Sequence, residues 1–173
     1  MPKKVVSIQE AISQGTGDIT IHGWVHRQRG SNKLKFIVLR DSTNVIQCVL
    51  ERSSFESTWE EIDHIQIEAA LEISGTLKKD ERAPTGYEVQ VKAYVVVGKS
   101  ENYPITKDQS IEFLADNRHL WLRSRRMTAI LKIRSTVFRA IDEYFHNEGF
   151  YEYQSPIFQA VQCEGGSELF EVK

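Results

Sequence analysis

At 173 residues, with 40% hydrophobic and 27% charged side chains, the chain has the composition of a soluble globular protein of one domain, or of one domain and part of another. Its longest apolar run, residues 93–97, is far too short to span a membrane, and MPKKVVSIQE lacks the apolar core of a secretory signal, so the expected compartment is the cytoplasm. A net charge of −2 gives no general attraction for nucleic acid, and two distant cysteines, Cys48 and Cys163, match no metal spacing.

In chain order, Ser7 and Glu10 form a capping box that predicts a short helix over residues 7–13. Residues 19–29 then alternate and are rich in β-branched and aromatic side chains; 34–39 and 45–50 are compact apolar runs, separated by the turn signals Gly30-Ser31-Asn32 and Asp41-Ser42-Thr43-Asn44. No acidic residue lies between Asp18 and Asp41, whereas Arg27, Arg29, Lys33, Lys35 and Arg40 do. In the middle run both alternating sets are apolar, Leu34, Phe36 and Val38 against Ile37 and Leu39. One set suffices for a core, so the other is either covered or offered to a ligand. Single-stranded nucleic acid needs such a basic, aromatic sheet surface: cations for phosphates and a ring for an unstacked base. His22 and His26 share one face of the first strand, but without a nearby carboxylate or thiolate they read as surface histidines.

Phe55, Trp59 and Ile62 predict a helix over 53–64; alternation predicts a strand over 65–77. After the turn signature Pro84-Thr85-Gly86, residues 87–97 read as a fifth strand with Tyr87, Val89, Val91, Ala93, Val95 and Val97 on one face. Five strands with a helix between the third and fourth is the order of an OB-fold barrel, whose second and third strands commonly bind oligonucleotides. From residue 101 the texture changes. Asn102-Tyr103-Pro104 breaks the strand, and a basic segment, RHLWLRSRR, precedes a long helical pattern through Met127, Ile130, Leu131, Val137, Phe138, Ile141, Tyr144 and Phe145 that stops at Gly149. The residues after it are too few to bury that apolar stripe in a core of their own.

The segment GFYEYQSPIF after that helix resembles motif 1 of the class II aminoacyl-tRNA synthetases, a long helix feeding a strand that ends in proline. CEGGSELF and NRHLWLRSRRM are similar to the aspartyl/asparaginyl subgroup and lean toward its asparaginyl members; GWVHR, LKFIVLRD and VIQCV resemble that subgroup's anticodon-reading strands. The resemblance implies an OB-fold anticodon-binding domain at 1–102, a hinge at 103–125, and at 126–173 the first helix and strand of a class II α+β catalytic domain. It implies that Arg27, Phe36 and Gln47 contact the anticodon: Phe36 stacks on the central uridine, Gln47 bonds its edge, and Arg27 contacts the same region or its phosphate. Read without the resemblance, Phe36 is equally core, Gln47 a solvent-facing strand residue and Arg27 a surface charge.

The same resemblance implies that Glu164 holds the α-ammonium group of the amino acid, that Ser167 and Glu168 belong to the loop over it, and that Pro156 lies at a homodimer interface. The complete enzyme would use ATP and Mg2+ to join asparagine to tRNA(Asn). No candidate for the two later ATP-gripping arginine motifs occurs in these residues, so no catalytic residue and no metal ligand is expected within the chain. A portion of an asparaginyl-type enzyme is the reading this favours. An aspartyl enzyme of the subgroup and a non-catalytic RNA-binding relative with the same barrel are the alternatives.

Overall fold

The structure is a computed structural model that describes residues 4–106 and 109–158. The chain divides into two units, Met1–Thr106 and Lys107–Lys173.

Ser7 starts the first helix, α1 (Ile8–Gln14), through the full capping box with Glu10. Five strands follow: β1 (Gly17–Gly30), β2 (Leu34–Arg40), β3 (Val45–Glu51), β4 (Ala70–Lys79) and β5 (Tyr87–Gly98). They close into a barrel in the order β1-β2-β3-β5-β4. β1 is long enough to serve two neighbours: Gly17 to Trp24 pair with β4, and Trp24 to Gly30 pair with β2. The β3–β5 contact is parallel and short, Gln47 to Val49 against Glu88 to Gln90. Ile21, Val25, Ile37, Leu39, Ile46, Cys48, Leu50, Ile73, Leu77 and Val89 fill the interior. Each such aliphatic side chain contributes roughly 1.5–3 kcal/mol by leaving water. Burial pushes the Cys48 thiol up to about 12, so it is neutral core at physiological pH.

The β2–β3 turn is built by Asp41. Its Oδ1 accepts from the backbone N–H of Thr43 (2.7 Å) and Asn44 (2.9 Å), while Oδ2 accepts from the first amide of α1, Ile8 N (2.7 Å). One carboxylate thus closes a hairpin and fixes a helix on the barrel. Burial raises its pKa, but the bonds from Ile8, Thr43 and Asn44 outweigh this and hold it below the ordinary aspartate value.

In the first unit, three sequence-based expectations need correction. Residues 53–64 are not one helix: two 3-10 turns, Arg52–Ser54 and Glu56–Thr58, precede a short α2 (Trp59–Asp63). Phe55 between them leaves helical geometry at φ −136°, yet Trp59 and Ile62 still reach the core. The fourth strand starts at Ala70 rather than residue 65, because Glu68 takes φ +68° and ends any extended run before it. The third concerns β5, whose alternating set does not stay on one face. Val89 and Val91 are buried, but Val95 and Val97 are exposed, while Tyr94 and Val96 pack on the core. The register slips where Ser74 pairs with Ala93 and Gly75 with Val91, and the extra residue, Lys92, reverses the phase. Gly75 permits this approach, since a Cβ there would lie 2.2 Å from the Gln90 carbonyl oxygen.

The second unit contains α3 (Ile111–Asp116), α4 (Arg118–Trp121) and the 23-residue α5 (Arg125–Asn147). Ser124 Oγ caps α5 by accepting from Met127 N (3.3 Å). Its end is a Schellman motif: Gly149 at φ +85°, Phe150 N donating to Phe145 O and Gly149 N to His146 O, with the Phe145 and Phe150 rings 5.5 Å apart. Ile133, Val137, Phe138, Ile141 and Tyr144 are all exposed. Residues 150–158 form no strand, contrary to the expected catalytic-domain strand. A strand needs a neighbour for its backbone groups, and none of the described residues pairs with this segment. Among the described residues no helix is long and apolar enough to cross a membrane.

Candidate nucleic-acid interface

The barrel's outer face over β1, β2, β3 and β5 carries two rows of side chains set by the register. One row is Arg27, Val38, Gln47 and Glu88; the next is Arg29, Phe36, Val49 and Gln90. Both arginines reach this face because β1 holds a bulge between Val25 and Arg27. Before it, Ile21 and Val25 point inward and His22 and Trp24 outward; after it, Arg27 and Arg29 are exposed. One extra residue, His26, moves both cations to the outside.

Arg29 is the hub of the second row. Its guanidinium lies over the Phe36 ring, 5.1 Å from the centroid, and its Nη2 donates to Gln47 Oε1 (3.4 Å). Gln47 Nε2 in turn donates to Glu88 Oε2 (3.1 Å). The Gln47 side chain is buried, at 5% exposure, between these partners. The amide is therefore held in one orientation, oxygen toward Arg29 and nitrogen toward Glu88. It keeps one further donor and one further acceptor. Phe36 and Val38 are half-buried on this face, while Ile37 and Leu39 fill the core. The outer apolar set of β2 is thus not covered by another element of the barrel.

Two of the five cations in the basic stretch are committed internally. Lys35 is buried and donates to Asp63 Oδ1 (2.9 Å) and the Asp63 carbonyl oxygen (3.2 Å) at the end of α2. That hydrogen bond, with the Lys35 charge, holds Asp63 below its usual pKa. Arg40 makes a two-pronged pair with Glu68, Nη1 to Oε1 at 2.9 Å and Nη2 to Oε2 at 3.0 Å. Arg27, Arg29 and Lys33 are exposed. The resemblance singled out Arg27, Phe36 and Gln47; all three lie on this face, and Arg29 links Gln47 to Phe36. Arg29 and Glu88 were not singled out from sequence. The two-residue spacing of Arg27 and Arg29 was a signal that they share a face; nothing in sequence aligned Glu88 with Gln47. His22 pairs with Glu72 across β4 (2.8 Å), and His26 accepts from Arg40 (3.3 Å). Pro156 is described and exposed; Cys163, Glu164, Ser167 and Glu168 lie outside the described residues.

Comparison with known proteins gives the kind of domain each part of the chain resembles. Residues 19–97 match the OB-fold nucleic acid binding domain, and residues 110–173 match the tRNA synthetases class II (D, K and N). The chain thus joins an OB-fold nucleic acid binding domain to a class II tRNA synthetase domain of the D, K and N kind. Within this group, the asparagine–tRNA ligase of Thermoplasma acidophilum is 47% identical over 155 residues, 89% of this chain and 36% of that protein. The asparaginyl-tRNA synthetase of Pyrococcus horikoshii, solved with asparaginyl-adenylate, superposes with a TM-score of 0.84 at 32% identity over 98% of this chain and 40% of its own. An aspartyl-tRNA synthetase from Entamoeba histolytica, 21% identical with a TM-score of 0.77, shares the fold. This chain therefore spans under half the length of the relatives it matches.

Proposed function

We propose that this chain is the anticodon-reading portion, with the beginning of the catalytic domain, of an asparaginyl-tRNA synthetase. The observation that carries the reading is the fixed amide of Gln47 beside Phe36 on an exposed basic sheet face. Uracil presents a donor, N3–H, flanked by carbonyl acceptors. An amide answers it with Oε1 against N3–H and Nε2 against a carbonyl. Cytosine places its donor and acceptor in the shifted order. Cytosine would meet an amide pinned by Glu88 and Arg29 only by sliding along its edge, out of its stack on Phe36, so pinning would favour uridine. The base would stack on Phe36 in place of the Arg29 guanidinium, which would slide off the ring but keep its bond to Gln47 Oε1, leaving Arg27 for the phosphates and the base rim. Phosphate contacts would position the loop and the amide would specify it.

The wider assignment follows the relatives. Residues 1–102 would be the anticodon domain, 103–125 the hinge and 126–173 the start of the catalytic domain. The complete enzyme would bind asparagine and tRNA(Asn), with Glu164 on the amino acid's ammonium group. It would act as a cytoplasmic homodimer, with Pro156 at the subunit contact. ATP and Mg2+ would supply asparagine activation. Among the described residues no group of His, Cys, Asp or Glu could hold a metal ion, so no step of that chemistry is assigned to them. The test is titration of the 173-residue chain with an anticodon stem-loop bearing GUU and with its GCU counterpart at fixed salt. A preference for GUU of about 1–3 kcal/mol, the worth of one well-read base, is expected. Equal affinity for the two loops would refute the reading.

A further inference from the structure

The outward phase of Arg27 and Arg29 depends on the bulge at His26, and the bulge is held by side chains far from it in sequence. Glu68 is the one non-glycine residue with positive φ among the described residues, at +68°. From that conformation its backbone N–H donates to Val25 O (2.7 Å), and Val25 N–H donates to the next carbonyl, Ala69 O (2.9 Å). The loop before β4 therefore grips β1 at the residue just before the bulge. The Glu68 carboxylate, only 6% exposed, takes the two-pronged bond from Arg40 at 2.9 and 3.0 Å. Arg40 stands opposite Trp24 in the β1–β2 register, and its Nη1 also donates to Nδ1 of the bulged His26 (3.3 Å). A glycine would adopt this backbone without strain, yet the position holds a glutamate whose side chain is used. Planar fork-to-fork geometry fixes direction as well as distance, which a lysine could not reproduce.

We propose that the Glu68–Arg40 pair is a positioning device for RNA recognition: it locks the β1 bulge and so aims Arg27 and Arg29 at the nucleic acid. The inference rests on the reading of this face as the anticodon site. It makes Glu68 and Arg40 determinants of specificity that touch no base themselves. Arg40, which from sequence belongs to the basic stretch facing RNA, acts through the backbone instead.

The two roles open to Glu68 separate in one substitution. Glu68→Gly removes the carboxylate while suiting the left-handed backbone, so it relieves strain as it opens the clamp. The 173-residue chain and this variant are titrated with the GUU and GCU stem-loops across a salt series, with melting temperatures recorded. The proposal expects GUU affinity to fall about ten-fold, the GUU preference to shrink, and the slope of log K against log salt to drop by about 1 as a cationic contact is lost. A pair that only stabilises the barrel would change the folded fraction, leaving slope and preference of the folded molecules as in the parent. That outcome overturns the proposal. If Glu68→Gly does not fold, Arg40→Lys, which keeps the charge but loses the fork, is read the same way: a lower slope and weaker preference support the clamp, and unchanged values overturn it. A parent chain without GUU preference would instead remove the anticodon reading itself, so the two failures are told apart by the parent's titration.

Discussion

Phe36 lies under a guanidinium in this structure, with the Arg29 carbon 5.1 Å from the ring centroid. A cation over a half-exposed ring contributes about 0.5–1 kcal/mol, whereas a base stacked on an aromatic ring contributes roughly 1–3 kcal/mol. The exchange of one for the other favours the base. Phe36→Ala is therefore expected to weaken GUU stem-loop binding by about 1–3 kcal/mol. Val38 and Val49 beside it keep the sheet apolar, so the fold should persist. Calorimetric titration with circular dichroism on the same sample checks both statements. Affinity unchanged in a folded variant would take Phe36 out of the site. Gln47 differs in kind: with Glu88 and Arg29 on either side, its burial costs little, and what it offers is direction.

The elements that present these residues are tied together by short-range chemistry, and Asp41 is the clearest case. It is bonded by Ile8, Thr43 and Asn44 in the folded state, which depresses its pKa below the aspartate value. A depressed folded pKa gives stability that is present above the unfolded value near 3.8 and lost as pH falls through the lower, folded value. Asp41→Asn keeps the shape but only one acceptor oxygen, so it should melt lower than the parent at neutral pH. The gap should close as pH drops below about 4, where the parent's carboxylate protonates too. Melting curves from pH 7 to pH 2.5 test this, and a gap that stays constant with pH would contradict it. This turn was legible from Asp41-Ser42-Thr43-Asn44, as was the capping box at Ser7, because both depend on groups a few residues apart. Strand existence was legible for the same reason. Strand phase was not: the bulges at His26 and Lys92 each insert one residue that has no partner in the neighbouring strand, and the alternation of side chains carries no mark of it. Alternation therefore placed Val95 and Val97 with Val89. Lys35 and Arg40 looked like RNA contacts because their partners, Asp63 and Glu68, are 28 residues away.

At the scale of the whole molecule, the two units differ in how their apolar surface is used. The barrel encloses its own core. The exposed Ile133, Val137, Phe138, Ile141 and Tyr144 of α5, with Phe150, Ile157 and Phe158 beyond it, leave apolar surface uncovered. Patches of this kind drive association, and a two-fold contact lets one patch cover itself. The chain is expected to form dimers or larger species at micromolar concentration, and Phe138→Glu with Ile141→Glu is expected to shift it to monomer without weakening stem-loop binding. Sedimentation equilibrium of both proteins decides this. A parent chain that stays monomeric with α5 helical would defeat it.

The central claim is that Gln47, held by Arg29 and Glu88, reads the central uridine. A double-mutant cycle tests it most directly: parent and Gln47→Ala, each titrated with GUU and GCU stem-loops at one salt concentration. The account predicts that the parent's preference for uridine is largely abolished by Gln47→Ala, giving a coupling of about 1–3 kcal/mol between the amide and the base. Additive effects, with the variant preferring GUU as strongly as the parent, would contradict it.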